Sequence, residues 1–168
     1  YKGEAHFLRG LYYFNLVRLF GDVPWIDKQQ TASDDLQVSR TSKDIVYQHI
    51  IDDFSDAASM LPAVYENTTD IGRATKGAAF GLLAKVYLTL KRYNETLVAI
   101  DSVMNLGVYS LNRKYEWNFS DLRENGPESL FEVQYEKDVT AYSEFDILGQ
   151  GGWHHEYMAP LASINIGG

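Results

Sequence analysis

The sequence of 168 residues contains no cysteine and no long hydrophobic run. The first absence excludes disulfides, thiolate metal sites and a cysteine nucleophile within these residues, and it fits a cytosolic protein as well as one on a bacterial surface. Charged residues interrupt even the most apolar stretches. No window therefore approaches the roughly 18 consecutive apolar residues that a membrane helix requires, and we expect no membrane helix here.

Positive charge is also scarce, since 15 lysines and arginines stand against 23 aspartates and glutamates, for a net charge of −8. Such a surface repels a phosphate backbone, and no basic cluster reverses the charge locally. The sequence predicts no nucleic-acid partner. Hydrophobic residues make up 45% of the chain, which suits one compact domain with a sizeable core.

The two ends of the sequence indicate a piece of a longer protein. A helical pattern is already present at Glu4, three residues after Tyr1, and the chain stops at Gly168 without a recognisable cap. The composition therefore describes this piece only, and the absence of a signal sequence or lipid-attachment cysteine from it proves little.

Apolar periodicity predicts a first helix over residues 4–20, stopped by Gly21, Asp22 and Pro24. Its apolar residues form two opposite stripes, so we expect neighbours on both sides. One stripe comprises Ala5, Leu8, Tyr12, Leu16 and Leu19, and the other comprises Phe7, Phe14 and Val17.

A second helix is predicted from Thr41 or Ser42 to about Leu61, ahead of Pro62. Its apolar stripe is Tyr47, Ile50, Ile51, Phe54, Ala58 and Leu61, and its expected solvent face carries Asp52, Asp53 and Asp56.

Two further helices form a predicted antiparallel hairpin. Thr75 is the expected N-cap of a helix through Leu90, and Asn94 that of a helix through Leu106, with Gly107 at the stop position. The spacing of tetratricopeptide repeats is matched by Leu83, Ala84, Tyr87, Ile100 and Val103, although Thr96 stands where that repeat prefers alanine.

After Tyr109 the helical period ends. Alternation from Leu130 to Tyr135 predicts one short strand, and a Gly-rich, aromatic-rich irregular segment follows from Lys137. The predicted fold is mainly α, with tetratricopeptide-like helix hairpins in an α–α superhelix, a short strand and an irregular C-terminal segment. We expect residues 1–109 to form a helical scaffold and residues 110–168 to begin a ligand-bearing portion.

Catalytic, nucleotide and metal sites find no support in the residue patterns. The segment GQGGWHHE at residues 149–156 lacks the lysine of a phosphate-binding loop, and the consecutive His154, His155 and Glu156 lack the i, i+4 spacing of HExxH. Most carboxylates lie on predicted helix faces, so no glycosidase pair stands out. Ser129 has no GxSxG context. We expect neither an enzyme nor a cofactor.

Aromatic residues are abundant, at 14% of the chain with 12 tyrosines. A flat ring can lie against the C–H face of a sugar while its polar atom binds hydroxyls. Rings inside helices, such as Tyr12, Tyr47 and Tyr87, are expected in the core. The candidate ligand-binding residues lie in the irregular segment instead, and they are Trp153, Tyr157, Tyr142 and His154.

Three segments carry a resemblance to a known family. EAHFLRGLYYFNLVRLFGDVPW at residues 4–25 and NGPESLFEVQY at residues 125–135 resemble signature segments of the SusD/RagB family. Between them, GRATKGAAFGLLAKVYLTLKRY at residues 72–93 resembles the helix hairpin of that family. The likeness runs in order through about Tyr135, and its most specific part is the FGDVPW exit of the first helix.

The resemblance implies a receptor without enzymatic activity. Members of the family are lipid-anchored on the outer membrane and present oligosaccharides or other nutrients to a SusC-like TonB-dependent transporter. The signature segments are mainly scaffold, so no ligand residue carries over by motif, and the lipid anchor is expected outside these residues.

Two other readings remain open. One is a cytosolic tetratricopeptide scaffold whose concave face binds a peptide, which predicts further 34-residue repeats. The other is an accessory domain of a glycoside hydrolase.

Overall fold

A computed structural model of the chain describes residues 1–31, 37–120 and 123–133. These residues form four α-helices: α1 Lys2–Phe20, α2 Lys43–Met60, α3 Lys76–Thr89 and α4 Tyr93–Asn105. Two short 3-10 helices, Thr68–Asp70 and Tyr115–Phe119, lie in the connections. The predicted mainly helical fold is confirmed. Across these ranges, no helix has the length and hydropathy needed to cross a membrane.

Most helix ends follow the predicted signals. Gly21 ends α1 with φ of 69°, and Gly107 follows α4 with φ of 68°, a left-handed conformation that glycine adopts without steric cost. The side chain of Thr75 caps α3 by accepting a hydrogen bond from the Ala78 amide, with Oγ1 and N 3.1 Å apart. The predicted N-cap of α4 was wrong, because the residue before the helix is Arg92 rather than Asn94. The backbone carbonyl of Arg92 accepts a hydrogen bond from the Thr96 amide.

Within the part of the chain that the structure describes, only one of the two apolar stripes of α1 is covered. Phe7, Phe14 and Val17 are buried, and Gly3 and Gly10 lie on the same side, where α2 approaches closely. The opposite stripe faces outwards. Tyr12 is 64% exposed and Leu19 is 75% exposed, so the expectation that Tyr12 packs in the core was wrong for the described residues.

Helix α2 differs from the prediction at Asp53, which was assigned to the solvent face but is only 2% exposed. It faces α1, where Arg9 and His6 bind its carboxylate. Asp52 and Asp56 are exposed as expected. The periodicity was correct, but a residue at the edge of the apolar stripe can turn inwards when a neighbouring helix supplies a cation.

The α3–α4 hairpin buries the small residues that allow close helix approach. Of the residues at the repeat spacing, Leu83, Ala84 and Val103 are buried as predicted, Tyr87 is half-buried, and Ile100 is exposed. Thr96 replaces the preferred alanine without an unsatisfied hydroxyl, since Thr96 Oγ1 donates to the Arg92 carbonyl at 2.9 Å.

The four helices stack in chain order, each packing against the next, so that α1 and α4 lie at the two edges of the stack. Residues Tyr1–Glu132 form one compact unit. The segment after α4 returns across α3. Tyr109 covers Gly77 and Leu130 covers Gly81, at positions where a Cβ atom would meet these side chains.

The predicted strand is not formed over its described residues, because Leu130 to Val133 have no strand pairing. Gln134 and Tyr135 lie outside the described residues. Instead of pairing, this segment packs sideways on the helices, with the Phe131 ring 4.9 Å from that of Phe7. Residues 106–133 include no further helical hairpin among those described, which departs from the repeat scaffold considered above.

Candidate functional site

The four residues proposed to bind ligand, Tyr142, Trp153, His154 and Tyr157, lie outside the described residues. Their role stays a prediction. The described residues nevertheless offer three places where aromatic and polar side chains converge: a cleft beside α3, a cluster around Trp25 and an aromatic pair near residue 115.

The cleft has a volume of about 220 Å³ and lies between the α2–α3 connection and the segment that returns across α3. Tyr65 and Tyr109 line it, but both hydroxyls are engaged within the protein. Tyr65 donates to the Ala74 carbonyl at 3.0 Å, and the Tyr109 hydroxyl is hydrogen bonded to Thr75 Oγ1 at 2.8 Å. Pockets for small ligands usually measure about 300 Å³ or more. We therefore interpret the cleft as a gap between packed segments rather than as a ligand pocket.

Arg73 lines the same cleft and is already paired. Its guanidinium donates to both carboxylate oxygens of Glu4, at 2.7 and 2.6 Å, and to Asp70 at 2.8 Å. The hydrogen bonds from Arg73 hold the pKa of the Glu4 carboxyl below its usual range. Because two carboxylates neutralise this guanidinium, it is poorly suited to bind an anionic ligand. It ties α1 to the residues before α3.

The Trp25 cluster holds the loop that leaves α1. The His49 ring stacks on Trp25 at 4.5 Å with an interplanar angle of 13°, and the Tyr13 ring lies 4.3 Å away. The Arg9 guanidinium lies 5.1 Å from the indole centroid. Tyr13 also accepts the Ile26 amide at 2.8 Å. Because three side chains pack around Trp25, this ring fixes the position of the loop that leaves α1.

Asp53 of α2 supports this cluster by binding Arg9. Arg9 donates to its two carboxylate oxygens at 2.8 and 2.7 Å, and His6 Nδ1 lies 2.8 Å from Oδ1. Through these contacts His6 and His49 both have structural roles. The periodicity of the sequence could not indicate that the Arg9 guanidinium contacts both the Asp53 carboxylate and the Trp25 ring.

The most exposed aromatic pair of the described residues is Tyr115 and Phe119, at 78% and 75% exposure. Their rings meet edge to face at 5.3 Å. Trp117, between them in sequence, is covered by the Arg123 guanidinium at 3.8 Å. The i, i+4 spacing of the two outer rings was visible in the sequence, but nothing there indicated that they would face solvent.

The ionisable groups show no arrangement for catalysis within the described ranges. Three carboxyl groups there have a clearly shifted pKa, and all three are lowered. Arg73 lowers that of Glu4, Arg92 lowers that of Glu95, and the Asn112 amide with the Asn118 side chain lowers that of Glu128. A general acid needs a raised pKa. Over the same ranges, no cluster of three or more potential metal ligands occurs.

Comparison with known proteins gives one consistent family. A family model described as "Starch-binding associating with outer membrane" matches residues 1–88. A SusD-like protein of Formosa agariphila is 25% identical over 167 residues, which is 94% of this chain and 32% of that protein.

Solved structures agree with this match. A SusD-like protein from Bacteroides fragilis superimposes with a TM-score of 0.74 at 38% identity, over 82% of this chain and 28% of that structure. A structure named as a laminarin-binding SusD-like protein gives a TM-score of 0.70 at 30% identity, over 79% of this chain and 30% of its own. The chain therefore spans about a third or less of the length of these proteins.

Proposed function

This chain belongs to the SusD/RagB family, and on that premise we propose that the whole protein is a cell-surface receptor that binds oligosaccharides for uptake. The observation that carries the proposal is the family match over residues 1–88, together with the superposition on SusD-like structures. The name of one neighbour specifies laminarin as its ligand, which supports a carbohydrate as the ligand class.

We assign the described residues to the scaffold rather than to the ligand site. One ring of each signature segment makes internal contacts, since three side chains pack around Trp25 and Phe131 packs on Phe7. Ligand contacts are proposed in the part of residues 110–168 that follows the described residues. The candidates are Tyr142, Trp153, His154 and Tyr157.

The proposed receptor binds glycans and does not cleave them. Support comes from the description of the family model as starch-binding and from the name of the laminarin-binding neighbour, both of which describe binding rather than an enzymatic activity. Binding without cleavage fits a protein that hands an intact oligosaccharide to a transporter.

The proposed partner is a SusC-like TonB-dependent transporter in the outer membrane, and the proposed location is the cell surface. A lipid anchor outside residues 1–168 would hold the protein there. Co-purification of the full-length protein with the transporter from detergent-solubilised outer membranes tests this placement. Recovery of the protein in the cytosolic fraction would contradict it.

The ligand assignment is tested by Trp153→Ala in the full-length protein, with glycan affinity measured by calorimetry. We expect the affinity to fall by about tenfold or more, equivalent to about 1.4 kcal/mol, because a ring that stacks on a sugar is removed. Tyr115→Ala is the matched control, since it removes an exposed ring that the proposal leaves unused. Unchanged affinity in Trp153→Ala would refute the assignment.

A further inference from the structure

Helix α3 contains two glycines one turn apart, Gly77 and Gly81, and each lies beneath a side chain of the segment that follows α4. A Cβ atom at Gly77 would collide with the Tyr109 ring, and one at Gly81 would lie 2.6 Å from Leu130 Cδ1. Glycine destabilises a helix interior relative to alanine, so the close approach of this segment accounts for its use here. Tyr109 and Leu130 are 21 positions apart in the sequence, but they lie against positions about 6 Å apart along α3.

The two ends of this segment are also hydrogen bonded to each other. We define them by their residues as a first arm, 109–112, and a second arm, 127–131. The Ser110 amide donates to the Pro127 carbonyl at 2.9 Å, and the Asn112 amide donates to Glu128 Oε2 at 2.9 Å. Because of these bonds, the packing of the first arm on α3 also holds the second arm in place.

The second arm contacts two different helices through consecutive residues. Leu130 packs over Gly81 of α3, and the Phe131 ring lies 4.9 Å from that of Phe7 in α1. Two neighbouring side chains on two helices fix both the position and the rotation of the chain at this point. The compact unit formed by the helices ends at Glu132, directly after the second arm. The arm therefore fixes the point at which the following residues begin.

On the basis of the receptor function proposed above, we propose that Tyr109 is a positioning residue for glycan binding. Tyr109 packs on α3 and, through the first arm, holds the second arm where the proposed ligand-bearing portion begins. It does not touch the ligand. Removal of its ring releases the second arm, so that the residues after it occupy a wider range of positions. Binding is then weaker, because the ligand-binding side chains must be ordered when the glycan binds.

The test is Tyr109→Ala in the full-length protein, titrated by calorimetry with starch, laminarin and xyloglucan oligosaccharides as probes. For each probe that the unsubstituted protein binds, we expect Kd to rise roughly fivefold while the stoichiometry stays the same. A purely structural role of Tyr109 would instead lower the stoichiometry, since unfolded molecules do not bind, and would leave Kd unchanged. Unchanged Kd in Tyr109→Ala would overturn the proposal.

The matched control is Tyr115→Ala, which removes a ring of the same segment that is 78% exposed and contacts Phe119. Its Kd should equal that of the unsubstituted protein. Leu130→Ala is the second variant, for use if Tyr109→Ala does not fold. It should raise Kd in the same way, because it opens the contact with Gly81, and an unchanged Kd there would equally overturn the proposal.

Hydrogen exchange measured by mass spectrometry tests the structural step without a ligand. In Tyr109→Ala, we expect the backbone amides of the second arm to exchange roughly tenfold faster, while those of α2 exchange as before. Unchanged exchange in the second arm, or equal acceleration in α2, would overturn the proposal. Failure of the unsubstituted protein to bind any of the probes is a separate outcome, which would refute the receptor function from which the positioning role follows.

Discussion

At the residue scale, the buried carboxylate of Asp53 connects α1 to α2. Arg9 approaches it with two parallel N–H groups, and His6 completes its contacts. Burying a carboxylate is costly unless its lone pairs are satisfied, and a bidentate guanidinium satisfies them with a fixed geometry. Since Arg9 also contacts the Trp25 ring, Asp53 indirectly orients the loop after α1.

We predict that Asp53→Asn lowers the free energy of unfolding of the full-length protein by about 2–4 kcal/mol, because Arg9 loses its charged partner inside the helix interface. Urea unfolding followed by circular dichroism measures this. Asp56→Asn, three residues along the same helix but exposed, should change stability by less than about 0.5 kcal/mol. Equal effects of the two substitutions would contradict the account of Asp53.

At the element scale, the loop that follows α1 is fixed by contacts with neighbouring residues rather than being a free linker. Gly21 turns the chain, Val23 pairs with Thr41 in an isolated antiparallel bridge, and Trp25 lies against His49 of α2. The Asp22 carboxylate accepts the Lys43 amide at 2.7 Å, next to the start of α2. These contacts explain why glycine, aspartate and an aromatic ring follow α1 in this order.

The Glu4–Arg73 pair ties α1 to the start of α3, and it makes stability depend on pH. The pKa of Glu4 is lowered in the folded state, chiefly by Arg73. Stability from this pair is therefore present above the unfolded pKa of about 4.3 and is lost as the pH falls through the lower folded value.

We predict that Glu4→Gln removes part of the acid sensitivity, so that the urea midpoint falls less between pH 5 and pH 3 than in the unsubstituted protein. At pH 7 the variant should be less stable, because Arg73 retains only Asp70 as a charged partner. Asp52→Asn on the exposed side of α2 is the control. Parallel pH profiles for Glu4→Gln and the unsubstituted protein would rule out this pair as a source of acid sensitivity.

The helices could be predicted from periodicity and capping residues, because both signals are local. Their partners could not. The two stripes of α1 indicated two apolar faces, but only packing decides that Phe7 is buried while Tyr12 is exposed among the described residues. Asp53 looked like a solvent residue since its cation lies 44 positions away in the chain. The predicted strand failed for a similar reason, because Leu130 and Phe131 found helix surfaces instead of a neighbouring strand.

At the scale of the whole molecule, two of the three segments that carry the family resemblance, residues 4–25 and 125–135, contact each other. Phe7 belongs to the first and Phe131 to the second, and their rings pack edge to face at 4.9 Å. The resemblance therefore identifies a packed scaffold. The residues that carry the family resemblance are therefore separate from those proposed to touch the glycan.

The central claim is that the full-length protein binds glycans and returns them intact. The most direct measurement is calorimetric titration of that protein with a panel of purified oligosaccharides, followed by chromatography of the recovered sugars. We predict saturable binding of at least one oligosaccharide and no shortened products. The account would be contradicted by a folded protein that binds none of the panel, or by cleavage products that accumulate with time.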